Sequence, residues 1–254
     1  MNREGTSGSA RSNPRMPVES YPGAVPTMNG RGFMLQSLDP YSQSFAAFAA
    51  ACSEPVLDIG CAYGIATLAA LAQGARVCAC DMEAAHLDVL RDRVPEAARE
   101  RLSTRLGQLP DVDFPAASFG AILASRVIHF LDGDEVELAL RKMADWLVPG
   151  GHLFLVADTP YMPSWSASVP EYERKKRAGD KWPGFLPDFS LYASVTADPE
   201  SYPEFMNPMD PDILARVCEE AGLRVVDKGF TGLQRGGPPT PGREHAGCEA
   251  VKPT

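Results

Sequence analysis

Three observations predict an α/β fold with a mostly parallel sheet covered by helices on both faces. Short apolar segments alternate with helix-patterned ones from Val56 onward, glycine and proline mark the junctions, and 254 residues at 44% hydrophobic suffice for one large core. Seven strand-like segments are present, so the sheet is expected to be seven-stranded and doubly wound.

Residues 1–30 are rich in Gly, Ser, Pro, Asn and Arg and lack an apolar period. They read as a mobile tail before a domain spanning 31–254. Asp39-Pro40 is a helix start, with an acceptor at the N-cap and proline at the first position. Tyr41, Phe45, Phe48 and Cys52 then fall on one apolar face. "PVLDIG" is the first strand of the alternation. "IATLAALAQG" is a helix stopped by Gly74. "ARVCACD" is the second strand, and "EAAHLDVLRDRV" a helix with Leu87, Leu90 and Val94 inward and His86 outward. "LSTRLGQ" and "FGAILASRV" are the third and fourth strands. "VELALRKMADWLVPGG" is a helix ended by Pro149-Gly150-Gly151, and "HLFLVAD" the fifth strand. Residues 159–209, with many prolines and aromatics and little period, read as an inserted lid after that strand. "DPDILARVCEEAGLRVVDKGF" resumes as helix and strand, and "GCEAVKP" closes the sheet.

The turn "DIGCAYG" sets Asp58, Gly60 and Gly64 between a strand and a helix. Such a turn exposes backbone N–H groups and a helix N-terminus, which suits a nucleotide-type cofactor. A dinucleotide site would want G-x-G-x-x-G, but Ala62 and Ile65 stand at its second and third glycines. The spacing Asp58-x-Gly60-x-Ala62-x-Gly64 resembles the first motif of class I S-adenosylmethionine-dependent methyltransferases, with Ala62 at the middle glycine. The likeness continues through Asp81 at the end of the second strand, "GQLPDVDFPAASFGAILASRVIHFL", "LVPGGHLFLV" and "AGLRVVDKGF". It covers roughly residues 33–252, apart from the 159–209 insertion.

The resemblance implies a Rossmann-like fold with S-adenosylmethionine as cofactor. It assigns the methionyl tail to Asp58, Gly60, Cys61, Ala62 and Gly64. Asp81 would take the ribose diol, Met82 the adenine face, and Gln108 and Leu109 the adenine edge, with Ser125 nearby. Gln36 and Tyr41 on the leading segment are further tail candidates, Tyr41 being equally readable as core.

For the chemistry, His129 just past the fourth strand is the first candidate base, since its ordinary pKa lies near neutrality; a structural histidine is the competing reading. Tyr63 in the turn could touch the cofactor tail or the acceptor. Asp158, ending the fifth strand, could orient an amine or hydroxyl, or cap the loop that follows. Arg126 could clamp substrate or pair with a carboxylate. Tyr161, Trp165 and Trp182 are the expected substrate wall. His152 reads as structural, and His245, in a Gly- and Pro-rich stretch, carries no signal.

The net charge of −9 argues against nucleic acid and anionic membrane as partners. No apolar run approaches the ~20 residues of a spanning helix. Six cysteines without a C-x-x-C pair read as free thiols of a reducing cytoplasm, and no metal site is expected. The expected function is methyl transfer to a small-molecule acceptor by a cytoplasmic monomer or homodimer. The alternatives are a protein or peptide methyltransferase, a repurposed cyclase-like cofactor binder on the same fold, and an NAD-dependent oxidoreductase.

Overall fold

The structure is a computed structural model that describes residues 14–192, 203–232 and 242–254. A seven-stranded sheet has the order β5-β4-β3-β6-β7-β9-β8. Its members are β3 (Val56–Ile59), β4 (Val77–Asp81), β5 (Leu102–Leu106), β6 (Phe119–Ser125), β7 (Leu147–Asp158), β8 (Arg224–Thr231) and β9 (His245–Val251). The first five run parallel, while β9 pairs antiparallel with both β7 and β8. This is the mostly parallel seven-stranded arrangement expected.

Helices cover both faces. Helix α1 (Pro40–Ala49), α2 (Ile65–Ala72) and α3 (Ala84–Arg93) bury Phe45, Leu71, Leu87 and Leu90 against Leu123 and Phe154. On the other face, α4 (Gly133–Trp146) and α6 (Pro211–Glu220) pack Leu140, Met143 and Leu214 on Ile122, Leu153 and Leu155. Local chemistry sets the helix starts. The Asp39 side chain accepts from Ser42 N–H at 2.9 Å, with Pro40 following. Asp132 and Glu135 close a reciprocal capping box on α4. Asp210 caps α6 ahead of Pro211.

Three expectations need correction. Residues 24–30, placed in the mobile tail, belong to a hairpin: β1 (Ala24–Pro26) pairs antiparallel with β2 (Phe33–Leu35), and Ala24 and Val25 are fully buried. The composition hid a turn closed by Thr27 N–H to Gly32 O at 2.9 Å. Residues 1–13 of that tail lie outside the described residues. Helix α4 stops at Trp146 rather than at Pro149-Gly150-Gly151, because "LVPGG" enters β7 through an irregularity opposite Phe119 and Ala121.

The third correction concerns the inserted segment, which is not irregular throughout. It contains α5 (Val169–Arg177) and a small core of its own built from Met162, Trp165, Leu186, Phe189 and Met206. Residues 193–202 of it lie outside the described residues. No described helix is long and apolar enough to cross a membrane.

Candidate active site

In an open parallel sheet, ligands bind at the carboxyl ends of the strands, where the strand order reverses. Here that point lies between β3 and β6. The chain leaves β3 through Gly60 and leaves β6 through Arg126 and Val127. Gly60 has φ +72°, and a Cβ there would stand 2.2 Å from Val127 Cγ2. Gly64 has φ +80°, with Leu90 Cδ1 at 2.2 Å from the same construction. Both turn glycines are therefore required by conformation and by space. Ala62 also adopts the left-handed region, at φ +46°. Its N–H donates to Asp81 Oδ2 at 2.8 Å, which helps hold a conformation that alanine disfavours.

Two cavities meet over this turn. One is lined by Asp58, Cys61, Ile65, Ser125 and residues of the leading segment. The other is lined by Asp81, Met82, Gln108, Leu109 and Phe130. Thr27, Arg31, Gly60, Ala62 and Arg126 border both. The structure thus brings together Asp58, Gly60, Cys61, Ala62, Asp81, Met82, Gln108, Leu109, Ser125 and Arg126.

Asp58 is buried and accepts from Thr67 Oγ1 at 2.6 Å. Burial, with Asp81 nearby, pushes its carboxyl up to about 6 despite that bond. Asp81 also accepts from Glu83 N–H at 2.9 Å and lies 3.0 Å from His86 Nδ1. Arg126 sits at φ +58°, with Nη1 3.6 Å from Asp39 Oδ2. Ser125 Oγ and Arg126 Nη1 are buried and have no hydrogen-bond partner among the described residues.

Several expected residues lie elsewhere. Tyr63 is fully buried and donates to Pro26 O at 2.8 Å, so its hydroxyl is committed to the hairpin; burial pushes its pKa up to about 12. Gln36 is exposed and lines neither cavity. Tyr41 is core: its ring covers Gly247 and its hydroxyl donates to Asp227 at 2.8 Å. Trp165 packs against Phe189, and its indole N–H donates to Thr159 O at 3.0 Å. Trp182 lies over Gly133 and under the Arg216 guanidinium at 4.8 Å, between α4 and α6. Tyr161 is sandwiched with Arg243 and Phe230 and donates to Glu173. None of these three aromatics borders either cavity.

At the β7 end, His129 is buried and its Nδ1 accepts the Asp158 backbone N–H at 3.0 Å. The neutral ring then carries its proton on Nε2, which lies 4.0 Å from Asp158 Oδ2. Burial holds the His129 pKa below its ordinary value, outweighing Asp158. For Asp158, burial works toward a higher pKa, but His129, His245 and Arg126 overcome it and keep the carboxyl well below the usual range.

Sequence reasoning missed His86 and His245. His86 points inward, not outward, and is 1% exposed. His245 begins β9, buried, with Nε2 3.2 Å from Asp158 Oδ1. It also missed Thr27, Asn29 and Arg31 on the cavity walls. The Asn29-Gly30 pair between "AVP" and "FML" was an available hairpin signal.

Residues 56–151 match the family model described as "Methyltransferase domain". Over those residues the chain is similar to a methyltransferase domain, and its seven-stranded sheet is the class I methyltransferase fold. A solved S-adenosylmethionine-dependent methyltransferase from Methanosarcina mazei superposes with TM-score 0.60 at 16% identity, covering 85% of this chain and 99% of that one. A glycopeptide N-methyltransferase, MtfA, solved with S-adenosylhomocysteine, gives TM-score 0.58 at 19% identity over 84% and 88%. A cypemycin N-terminal methyltransferase of a Streptomyces species is 34% identical over 107 residues, 41% of this chain. That match spans 42% of the relative's own length.

The cofactor of such domains is S-adenosylmethionine, and the residues of the methyltransferase domain fit it. Asp81, Met82, Gln108 and Leu109 share one cavity, Asp58 and Ser125 share the other, and Arg126 borders both. The orphaned Ser125 hydroxyl and Arg126 guanidinium nitrogen match a carboxylate, and buried Asp58 matches an ammonium.

Proposed function

We propose that this chain transfers the methyl group of S-adenosylmethionine to an amine nitrogen of a small molecule, including small peptidic ones. The observation that carries the choice of nitrogen is the state of His129. Its Nδ1 is held by the Asp158 amide and its Nε2 bears the proton, so the ring has no free lone pair for a hydroxyl or carbon acid. Asp158 stays ionised and is a poor base, but it is well suited to accepting from an N–H of a neutral amine, which keeps its lone pair for the methyl and loses its extra proton to water after transfer.

When bound, the cofactor supplies an electrophilic methyl on a sulfonium. The chain's own residues position and exclude water. Asp81 and the Gly60–Gly64 turn fix the nucleoside side, and Asp58 with Ser125 and Arg126 fixes the amino-acid side. Phe130 lines the Asp81 cavity and packs on the small core around Trp165. An amine attacks with its own lone pair, so proximity and desolvation carry most of the acceleration.

A peptide N-terminal amine is the second reading. It is favoured by the names of two similar proteins, one acting at a cypemycin N-terminus and one on a glycopeptide. The test is S-adenosylhomocysteine release with a panel of small primary amines, short free-N-terminus peptides and their N-acetylated forms. Product mass should rise by one methyl on free amines and not on acetylated peptides. Methylation of hydroxyl or thiol acceptors alone would overturn the nitrogen assignment. Cofactor binding without turnover on any acceptor would favour a repurposed binder.

A further inference from the structure

We propose that His86 is a positioning residue that ties the N-terminal hairpin to Asp81, making hairpin docking and cofactor binding one linked equilibrium. The proposal rests on the reading of the Asp81 cavity as the nucleoside site.

The tautomer of His86 is fixed by its partners. Nε2 accepts the Met28 N–H at 3.0 Å, so the neutral ring carries its proton on Nδ1. That nitrogen lies 3.0 Å from Asp81 Oδ1 and donates to it. One buried ring therefore bridges the hairpin turn and the carboxylate, with both nitrogens used.

Tyr63 makes the second tie. Its ring meets His86 edge-on, with centroids 4.9 Å apart, and its hydroxyl donates to Pro26 O. Arg93 donates to Tyr63 O and steadies the turn from α3. The hairpin is thus gripped at Pro26 and Met28, on either side of Thr27.

The grip matters because the hairpin cannot hold itself. Each strand has three residues, and an isolated two-stranded hairpin is marginal in water. Its docking depends on Val25 and Met34 packing with Tyr63 and Val89, and on the two polar ties. Thr27 and Arg31 border both cavities and Asn29 borders the nucleoside one. When the hairpin lifts, one wall of each cavity leaves, and His86 loses the Met28 N–H that fixes its tautomer as a donor to Asp81. A cofactor that prefers the docked state must then favour docking by the same factor as docking favours the cofactor.

Two substitutions separate the two contacts. Asparagine at 86 places its amide near the Nδ1 position, keeping donation to Asp81 while losing Met28. Glutamine reaches the Nε2 position, keeping an acceptor for Met28 while losing Asp81. The measurements use the full chain: S-adenosylmethionine affinity by calorimetry, and tryptic cleavage after Arg31 with and without S-adenosylmethionine.

In the wild type, saturating cofactor should slow that cleavage at least tenfold. His86→Asn should be cleaved faster without ligand, should bind at least tenfold more weakly, and should lose most of the protection. His86→Gln should bind more weakly yet keep the protection. Tyr63→Phe, which removes only the bond to Pro26, should shift affinity and cleavage in the same direction, about threefold. Folded His86 variants with wild-type affinity and wild-type protection would overturn the proposal. If they fail to fold, a folded Tyr63→Phe with neither readout moved overturns it. A wild type that binds no S-adenosylmethionine would instead sink the nucleoside reading. The ligand-free cleavage of His86→Asn would then still judge the hairpin tie: unchanged cleavage overturns it.

Discussion

The two ends of the sheet's carboxyl edge are finished differently. At β3–β4, the polar side chains are saturated by the chain itself. Asp81 takes three donors, His86 uses both nitrogens, and Asp58 holds Thr67. At β7–β9, Thr231 Oγ1, His245 Nδ1, both Glu244 oxygens and, close by, Asn207 Oδ1 are buried without a hydrogen-bond partner among the described residues. Each such atom costs about 1–3 kcal/mol when left unpaired. His86 and His129 each accept a backbone N–H, but His86 closes on its carboxylate at 3.0 Å while His129 stands off at 4.0 Å and leaves the nearer contact with Asp158, 3.2 Å, to His245. The comparison teaches that the β3–β4 carboxylates are satisfied within the chain, whereas Ser125 and Arg126 at the end of β6 and the β7–β9 end keep buried polar atoms open, a cost of the kind retained where a second molecule binds.

The largest test of this contrast is Asp158→Ala. On the proposed acceptor side it should lower methyl transfer by at least 10²-fold while changing S-adenosylmethionine affinity less than threefold, checked by S-adenosylhomocysteine release and calorimetry. Equal losses in both would show that the two halves are not separable. Asp81→Ala is the mirror experiment. Charge-assisted bonds are worth about 1.5–3 kcal/mol each, so cofactor affinity should fall at least tenfold. The midpoint of thermal unfolding should fall as well, because three donors lose their acceptor.

Proton linkage sharpens the same side. Asp58 titrates near 6 in the fold against an unfolded value near 4. Its raised pKa contributes stability below about 4 that is lost as pH rises through about 6. A bound ammonium reverses that preference by favouring the carboxylate. S-Adenosylmethionine affinity should therefore weaken several-fold as pH falls through about 6, and Asp58→Asn should flatten the dependence while weakening binding throughout. A wild-type profile that is flat between pH 5 and 7 would place the ammonium elsewhere.

The smallest effect is at Ala62. Replacing it by glycine relieves a left-handed alanine and should stabilise the chain by about 1 kcal/mol, or about 2–4 °C in Tm. Calorimetric unfolding reads it directly. No gain would mean that the greater unfolded-state entropy of glycine cancels the relief of strain.

The sequence by itself determined the sheet, its direction and the cofactor turn. The apolar runs and the breaks at Gly60, Gly64 and Gly74 are local signals, and spacing along one chain survives folding unchanged. That Asp58, Asp81, Met82, Gln108 and Leu109 gather at the strand ends, on the cavity walls, was legible for the same reason: each sits at a fixed offset from a strand end. The partners of each side chain belong to the tertiary structure. Tyr63 and Tyr41 were expected at the site, but a hydroxyl goes to the nearest acceptor in space, here Pro26 and Asp227. His245 carried no signal because its meaning is Asp158, 87 positions away in sequence and adjacent across β7 and β9. The hairpin was hidden because three-residue strands have no readable period, and their stability comes from what they dock against. Side-chain roles at the acceptor end were decided only there, since a proton's place on His129 depends on which amide its other nitrogen meets.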